Sequence, residues 1–212
     1  MTIYNGALRL LGQPKLSALT DAVENRRLLD GAFDENARDH CLQQGNWNFA
    51  IRTAKVSYDS SISPSFGFRR GYSKPSDWLK TVELASDEYF YSPMTHAEFV
   101  DEQSKWFADI DDIYVRYISN NTSYGYDLSL WPQSFVRYVE AYLALQIMPF
   151  LVQDTNRVIA FSKAVDKLLN DARSKDALNE GAKFQPAGNW VRARRGTGGS
   201  RGDLGSRGSL TG

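Results

Sequence analysis

The sequence predicts an α+β fold with a four-helix body, an inserted small antiparallel β-sheet subdomain and an extended C-terminal tail. Apolar residues recur at helical spacing on both sides of the middle third, where apolar and polar residues alternate instead. Glycine is concentrated at the C-terminus. We therefore expect the helical body to comprise residues 1–51 and 127–180, the β subdomain residues 52–126, and the Gly/Arg-rich tail residues 181–212.

Two helices are predicted before the first strand. The first covers residues 2–11 and ends at Gly12, and Pro14 prevents its continuation. The second covers residues 24–44, and we expect Asp21 to cap its N-terminus. The apolar stripe of this second helix repeats every four residues, at Leu29, Phe33, Ala37 and Cys41.

The middle third begins with the alternation that is typical of a half-buried strand. Ala54, Val56 and Tyr58 are separated by the polar residues Lys55 and Ser57. Further short segments are rich in aromatic and β-branched residues and are bounded by Pro, Asp, Asn or Ser. These strand candidates are residues 66–72, 78–85, 97–100, 104–108 and 113–118. Together they predict one small antiparallel sheet.

Helical spacing returns after the strands. Pro132 suits a first helical turn, where its missing N–H has no partner to lose, and the apolar face that follows runs from Phe135 to Leu151 and includes Phe150. We expect this helix to be the central one. A fourth helix, over residues 156–179, has an apolar stripe on one side, formed by Val158, Phe161, Val165, Leu168 and Ala172. Trp47 is expected to pack between the helices and the sheet.

The net charge of zero hides a strong asymmetry along the chain. After Glu180 there are six basic residues and one acidic residue, so the tail carries +5 and the preceding body −5. An acidic body with a basic tail is poorly suited to binding nucleic acid over a broad surface. It fits an assembly in which the tail docks on an acidic neighbour. Within the tail, an aromatic side chain lies next to cationic ones, at Trp190, Arg192, Arg194 and Arg195.

The sequence offers few residues for catalysis or metal binding. His40 and Cys41 are adjacent on a predicted helix, so their side chains diverge by about 100° and cannot act as base and nucleophile. His96 lies far away, and the glycines of residues 196–202 have neither a strand before them nor a helix after them, as a phosphate-binding loop requires. We therefore predict no enzyme activity, no catalytic residue, no metal and no cofactor. Cys41 is predicted to be buried and structural.

Neither a membrane span nor a secretory signal is predicted. The longest apolar stretch, residues 142–152, is interrupted by Gln146 and is shorter than the roughly 20 residues that a span needs. The N-terminus has no basic region followed by an apolar block. Because Cys41 is the single cysteine, we expect folding in a reducing cytoplasm.

Acidic residues cluster around the later strand candidates, at Glu98, Asp101, Glu102, Asp109, Asp111 and Asp112. Three interpretations are open. Two of the carboxylates could form a glycosidase pair across a hairpin. The interpretation that we favour is that all six lie in solvated turns between edge strands. In the third, the acids face a channel that carries DNA, where negative charge keeps the duplex from adhering.

Several short motifs follow one another in a recognisable order. They are residues 5–12 (NGALRLLG), 17–20 (SALT), 24–27 (ENRR), 47–50 (WNFA), 66–68 (FGF), 74–79 (KPSDWL) and the helix of 131–145. In this order they resemble the tail tubular protein A family, the head-to-tail adaptors or gatekeepers of short-tailed bacteriophages. The resemblance covers about residues 4–178. Lys74 departs from the pattern, because the family more often has Leu there.

The resemblance implies a structural protein of the virion. About twelve copies would form a closed ring between the portal and the tail nozzle and enclose the DNA channel for genome retention and ejection. The chain would assemble in the host cytoplasm, let DNA pass through the channel without sequence-specific binding and touch no membrane. Portal docking is expected of Trp190, Arg192, Arg194 and Arg195, and channel lining of Glu98, Asp101 and Glu102.

Two other classes of function compete with the adaptor. A tail-associated glycan hydrolase would use a carboxylate pair from the acidic cluster and requires an apolar cleft with two convergent acids. A DNA-binding packaging accessory protein would act through the arginines of the tail, and its duplex binding would depend steeply on salt concentration.

Overall fold

The computed structural model of the chain describes residues 1–65, 67–102, 104–151 and 155–179, with the side chains of Glu35, Asn36 and Thr155 left out. Two of the sequence predictions fall outside these residues. They are the Gly/Arg-rich tail of residues 181–212 and the start of the strand candidate at Phe66.

The predicted α+β class is confirmed, since helices flank a central set of antiparallel strands. The N-terminal helices are α1 (Thr2–Leu11), α2 (Glu24–Ala32), a π-helical turn (Phe33–Ala37) and α3 (Arg38–Gln43). As predicted, α1 ends at Gly12, whose positive φ of 71° is the left-handed conformation that glycine adopts at low cost. The predicted second helix appears as α2, the π turn and α3 in direct succession. Its stripe residues Leu29 and Cys41 are buried, as expected.

The predicted N-cap of the second helix is wrong. Val23 occupies the N-cap position of α2 and makes no side-chain capping bond. The Asp21 carboxylate instead accepts the backbone N–H groups of Ser17 and Ala18, at 2.8 and 2.9 Å. Because Asp21 satisfies donors in the preceding turn, its carboxylate is not used at the helix start.

In the described part of the chain, six strands form two antiparallel sheets where the sequence predicted one. The strands are β1 (Ile51–Ser57), β2 (Arg70–Ser73), β3 (Trp78–Ala85), β4 (Phe99–Asp101), β5 (Lys105–Ala108) and β6 (Asp112–Ser119). One sheet has the order β1-β6-β3, and the other β2-β5-β4. Their apolar sides share one cluster, in which Tyr72 and Trp106 come from one sheet and Leu84 and Val115 from the other. The short link between β5 and β6 therefore carries the chain from one sheet to the other.

Two expected apolar positions are exposed instead. Tyr58 lies just beyond the end of β1, and its ring packs under the Arg70 guanidinium at 4.2 Å. Phe150 is 72% exposed because it lies in the last turn of its helix, beyond Met148, the last buried residue there. The apolar pattern in the sequence continues past the end of the strand or helix. The neighbouring elements that would bury those side chains do not extend so far.

Two long helices close the described part of the chain. They are α4 (Gln133–Leu151), preceded by a 3-10 turn (Leu128–Leu130), and α5 (Thr155–Ala177). A helical core gathers side chains from α1, α2, α3, α4 and α5, and the buried Trp47 belongs to it. Ile118 of β6 joins this helical core, whereas Val115 and Tyr117 of the same strand belong to the cluster between the sheets. Across the described residues, no helix has the length and apolar character to cross a membrane.

Candidate functional site

The acids predicted to line a channel are held by local contacts. Glu98, Asp101 and Glu102 are all exposed, in and beside β4. The Glu98 carboxylate accepts the backbone N–H of Thr95 at 2.7 Å and its hydroxyl at 3.0 Å. These two hydrogen bonds lower the pKa of Glu98. A general acid requires the opposite, a raised pKa.

Asp101 forms an ion pair with Lys74. The Lys74 ammonium also donates to the Glu102 carbonyl oxygen and lies 3.4 Å from the centre of the Trp78 ring. Its side chain is only 4% exposed. This chain thus buries a lysine side chain against an aromatic ring and pairs its ammonium with a carboxylate. The adaptor family that the sequence resembles more often has Leu at this position.

The other three acids are also engaged locally. Asp109 accepts the backbone N–H of Arg69 at 2.8 Å, and Asp111 pairs with Arg70. Asp112 pairs with Lys55 at 2.8 Å and accepts the Ser57 hydroxyl at 2.6 Å, and these contacts lower the pKa of Asp112. Four of the six acids lie in connections, as the interpretation as solvated turns expects, whereas Asp101 ends β4 and Asp112 begins β6, the central strand of its sheet.

A groove of about 600 Å³ lies beside Glu102. It is formed by the loop after β1 and by β4 and β5, and its wall includes Ile62, Phe68, Lys105 and Phe107. Glu102 is the one acid among the described residues that line it. The carboxylate pair that a glycosidase needs is therefore not assembled in this groove. Among the described residues there is also no group of three or more His, Cys, Asp or Glu side chains placed to hold a metal ion.

Two motifs that carry the family resemblance make contacts inside the scaffold. In the KPSDWL motif, the Asp77 carboxylate binds Arg52 at 2.8 Å, the Tyr117 hydroxyl at 3.1 Å and the Ser119 hydroxyl. Partial burial alone would raise the pKa of Asp77, but these hydrogen bonds lower it. In the WNFA motif, the fully buried Trp47 donates its indole N–H to the Cys41 carbonyl at 3.1 Å. Both motifs connect neighbouring elements of the scaffold.

Among the described residues, the most exposed pair of stacked aromatic rings lies in a loop for which the sequence predicted no functional role. We define the tyrosine tip as residues 86–92, between β3 and β4. Tyr89 and Tyr91 are 68% and 82% exposed, and their rings stack with centres 5.8 Å apart. Phe90 points the other way and packs under the Arg116 guanidinium at 3.9 Å. The alternation of the DEYFY segment was the available signal for this arrangement.

The tyrosine tip is held in one conformation by its own side chains. The Asp87 carboxylate accepts the backbone N–H groups of Tyr89, Tyr91 and Ser92, at 3.0, 3.1 and 2.7 Å. Phe90 has a φ of 59°, a value that is strained for a bulky residue. Arg116, which covers Phe90, is itself paired with Glu83 at 2.9 Å. The contacts that hold Phe90 inward leave the two tyrosines in solvent.

The predicted docking residues Trp190, Arg192, Arg194 and Arg195 lie outside the described residues, so their role stays a prediction. No known family model matches the chain, and no curated protein matches it either.

Proposed function

We propose that this chain is a structural head-to-tail adaptor subunit of a short-tailed bacteriophage. In this proposal, about twelve copies form a closed ring between the portal and the tail nozzle and enclose the DNA channel. The protein is not an enzyme and needs no cofactor. Its place is the head-to-tail interface of the virion, after assembly in the host cytoplasm.

The observation that carries the proposal is the role of the motif residues. The positions that resemble the adaptor family, Trp47 and Asp77 among them, are buried or hydrogen-bonded within the scaffold. This is the pattern of a chain whose characteristic residues maintain a shape. In an enzyme, by contrast, such residues converge on the cleft that binds the substrate.

Large apolar side chains in solvent support an assembly role. Phe150 at the end of α4, Ile159 on α5 and the tyrosine pair of the tip are all exposed in the single subunit. Aromatic residues are enriched where subunits meet. Exposed Glu98, Asp101 and Glu102 fit a channel wall, because negative charge repels the DNA phosphates.

Native mass spectrometry and negative-stain microscopy test the proposal. The full chain is measured alone and after mixing with portal rings from the genome that encodes it. We expect closed rings of about twelve subunits, at least in the presence of portal, because cyclic assembly satisfies every interface. A chain that stays monomeric and leaves the portal bare under both conditions would contradict the proposal.

The two competing functions have weaker support. The groove beside Glu102 lacks the second acid that a glycan hydrolase needs. A DNA-binding accessory protein would act through the tail arginines, and it would be favoured if duplex binding by the full chain fell steeply with salt.

A further inference from the structure

The tyrosine tip combines exposure with order. Its two tyrosines are the most exposed pair of aromatic rings that stack on each other in the described part of the chain. The Asp87 hydrogen bonds and the Phe90–Arg116 contact fix the backbone that carries them. A preorganised aromatic surface loses little conformational entropy when it binds a partner, which favours a docking role.

The sequence around the tip is rich in acidic residues, and two cations near it, Arg116 on Phe90 and Lys55 near Glu88, are already paired with Glu83 and Asp112. Between Lys80 and Lys105 the sequence has six acidic residues and no lysine or arginine. Glu88 lies at the tip itself, where its carboxylate accepts a hydrogen bond from Tyr89 and thereby raises the pKa of that hydroxyl. The Asp87 carboxylate is bound to backbone N–H groups, so its charge is not neutralised by a cation there. A partner for this surface should therefore bring positive charge and an apolar group.

The C-terminal segment of the chain has that chemistry. It carries +5 after Glu180, and residues 189–195 (NWVRARR) combine one tryptophan with three arginines. An arginine guanidinium can stack on a tyrosine face and pair with a carboxylate at the same time. Tryptophan next to arginine is the usual composition of an interface hot spot.

We propose that residues 189–195 of one copy dock on the tyrosine tip of a second copy. The proposal rests on the ring assembly proposed above and names a contact between its subunits. The portal was the partner expected for the tail from its sequence, whereas the charge and the exposed rings of the tip favour a neighbouring subunit. The ten residues 180–189 span at most about 33–36 Å when extended, and this length sets the distance over which the contact can form.

A double-mutant cycle in the full chain tests the contact. Sedimentation equilibrium gives the self-association constant of the wild type, of Tyr89→Ser/Tyr91→Ser, of Trp190→Ala and of the combined variant. We expect the tyrosine variant and the tryptophan variant each to weaken association by about tenfold or more. The combined variant should be no weaker than either, because both changes remove the same contact. Tyr58→Ser, which removes an exposed tyrosine elsewhere in the β subdomain, is the matched control and should leave association unchanged.

A binding measurement separates this contact from the ring itself. A fluorescent peptide of residues 186–196 is titrated with the full wild-type chain, with Trp190→Ala and with the tyrosine variant, and anisotropy is read. We expect the tightest binding to Trp190→Ala, weaker binding to the wild type, whose tails compete with the peptide for the tip, and binding to the tyrosine variant about tenfold or more weaker than to Trp190→Ala. Peptide binding at the tip by a chain that never forms rings would refute the ring while supporting the contact.

Three results would overturn the contact. The first is unchanged association of the tyrosine variant in a protein that does form rings. The second is an additive loss in the combined variant, which would place the tail elsewhere, such as on the portal. The third is equally tight peptide binding to Trp190→Ala and to the tyrosine variant, because the tail segment would then bind somewhere other than the tip.

Discussion

Asn48 and Asp176 form a two-point contact between segments 128 residues apart. The Asp176 carboxylate accepts the Asn48 backbone N–H at 3.0 Å, and the Asn48 side-chain amide donates to the Asp176 carbonyl oxygen at 3.0 Å. Nearby, the Arg173 guanidinium donates to the Gln44 carbonyl. The last turns of α5 are therefore fastened to the segment that follows α3.

Removing the Asp176 carboxylate should weaken the fold measurably. Asp176 is buried, so Asp176→Ala leaves the Asn48 N–H without its acceptor, and we expect a loss of about 1–3 kcal/mol in the free energy of unfolding. Urea denaturation followed by circular dichroism measures it. Asp171→Ala, an exposed acid on the same helix, is the control and should change stability by less than about 0.5 kcal/mol. Equal effects of the two variants would contradict the structural role of Asp176.

Trp47 is expected to be among the most costly residues to truncate. Its ring is fully buried, 4.7 Å from the centre of Phe135, and its N–H is bonded to the Cys41 carbonyl. We expect Trp47→Ala to cost about 3–5 kcal/mol, through lost burial and the cavity left behind. Leu178→Ala, at an exposed position, serves as the control in the same thermal or urea melts. A Trp47→Ala chain that melts within a degree or two of the wild type would refute the packing.

A close approach between α1 and α4 predicts opposite effects for two glycine substitutions. A Cβ at Gly6 would lie 2.1 Å from the carboxyl carbon of Glu140, so Gly6→Ala should destabilise by about 1–3 kcal/mol. A Cβ at Gly31 on α2 meets nothing within 4 Å, so Gly31→Ala should stabilise by about 0.5–1 kcal/mol. Adding Glu140→Ala to Gly6→Ala should recover part of the loss. If that double variant is as unstable as the sum of its two single variants, the clash is not the cause.

Glu140 should make stability depend on pH in a defined direction. Its side chain is 6% exposed, and burial raises the pKa of its carboxyl group, although Arg9 and Arg137 oppose this. A carboxyl group with a raised pKa in the folded state loses its stabilising contribution as pH rises through that value. Glu140→Gln should therefore gain melting temperature over the wild type at pH 8, and the gain should vanish below about pH 4, near the unfolded pKa.

Glu98→Gln is the matched control for this pH dependence. The pKa of Glu98 is lowered in the folded state, so its contribution is present above the unfolded pKa and is lost as pH falls. This variant should lose melting temperature relative to the wild type at pH 8, the opposite of Glu140→Gln. The same sign for both variants would contradict the environments described.

Neutralising the proposed channel acids should change adhesion to DNA and leave assembly intact. In a chain carrying Glu98→Gln, Asp101→Asn and Glu102→Gln, we expect tighter binding of duplex DNA to assembled rings at low salt, by about several-fold, because repulsion of phosphates is relieved. Filter binding measures it, and ring formation by electron microscopy is the control. Release of glycan fragments by the wild type and not by this variant would instead favour the hydrolase.

Periodicity predicted the helices and most strands because each is a local property of the chain. The strand candidate 78–85 coincides with β3, and α1 ends where Gly12 required it. The division into two sheets could not be predicted in the same way, because strand pairing joins distant residues such as Ile51 and Ile118. Asp21 had two sets of backbone donors within reach, and sequence spacing alone did not decide between them.

The candidate site was predicted less completely than the fold. The six acids were recognised from composition, but the salt bridges that hold Asp101, Asp111 and Asp112 depend on basic residues that are distant in sequence, in or directly after other strands. The tyrosine tip was treated as a connection between strands. Its outward-facing rings result from the inward turn of Phe90 onto Arg116, a contact made across the sheet from β6.

Strand β6 has a mechanical consequence for any load applied to this protein. It is hydrogen-bonded to β1 on one side and β3 on the other, and its side chains enter the helical core through Ile118 and the sheet cluster through Val115. A pull along this strand would load both rows of backbone hydrogen bonds in shear, so that several must break together. Sliding of β6 by one residue would move Ile118 and Val115 to the wrong sides at once. The two cores should therefore yield in one step, with no intermediate in which one is intact and the other lost.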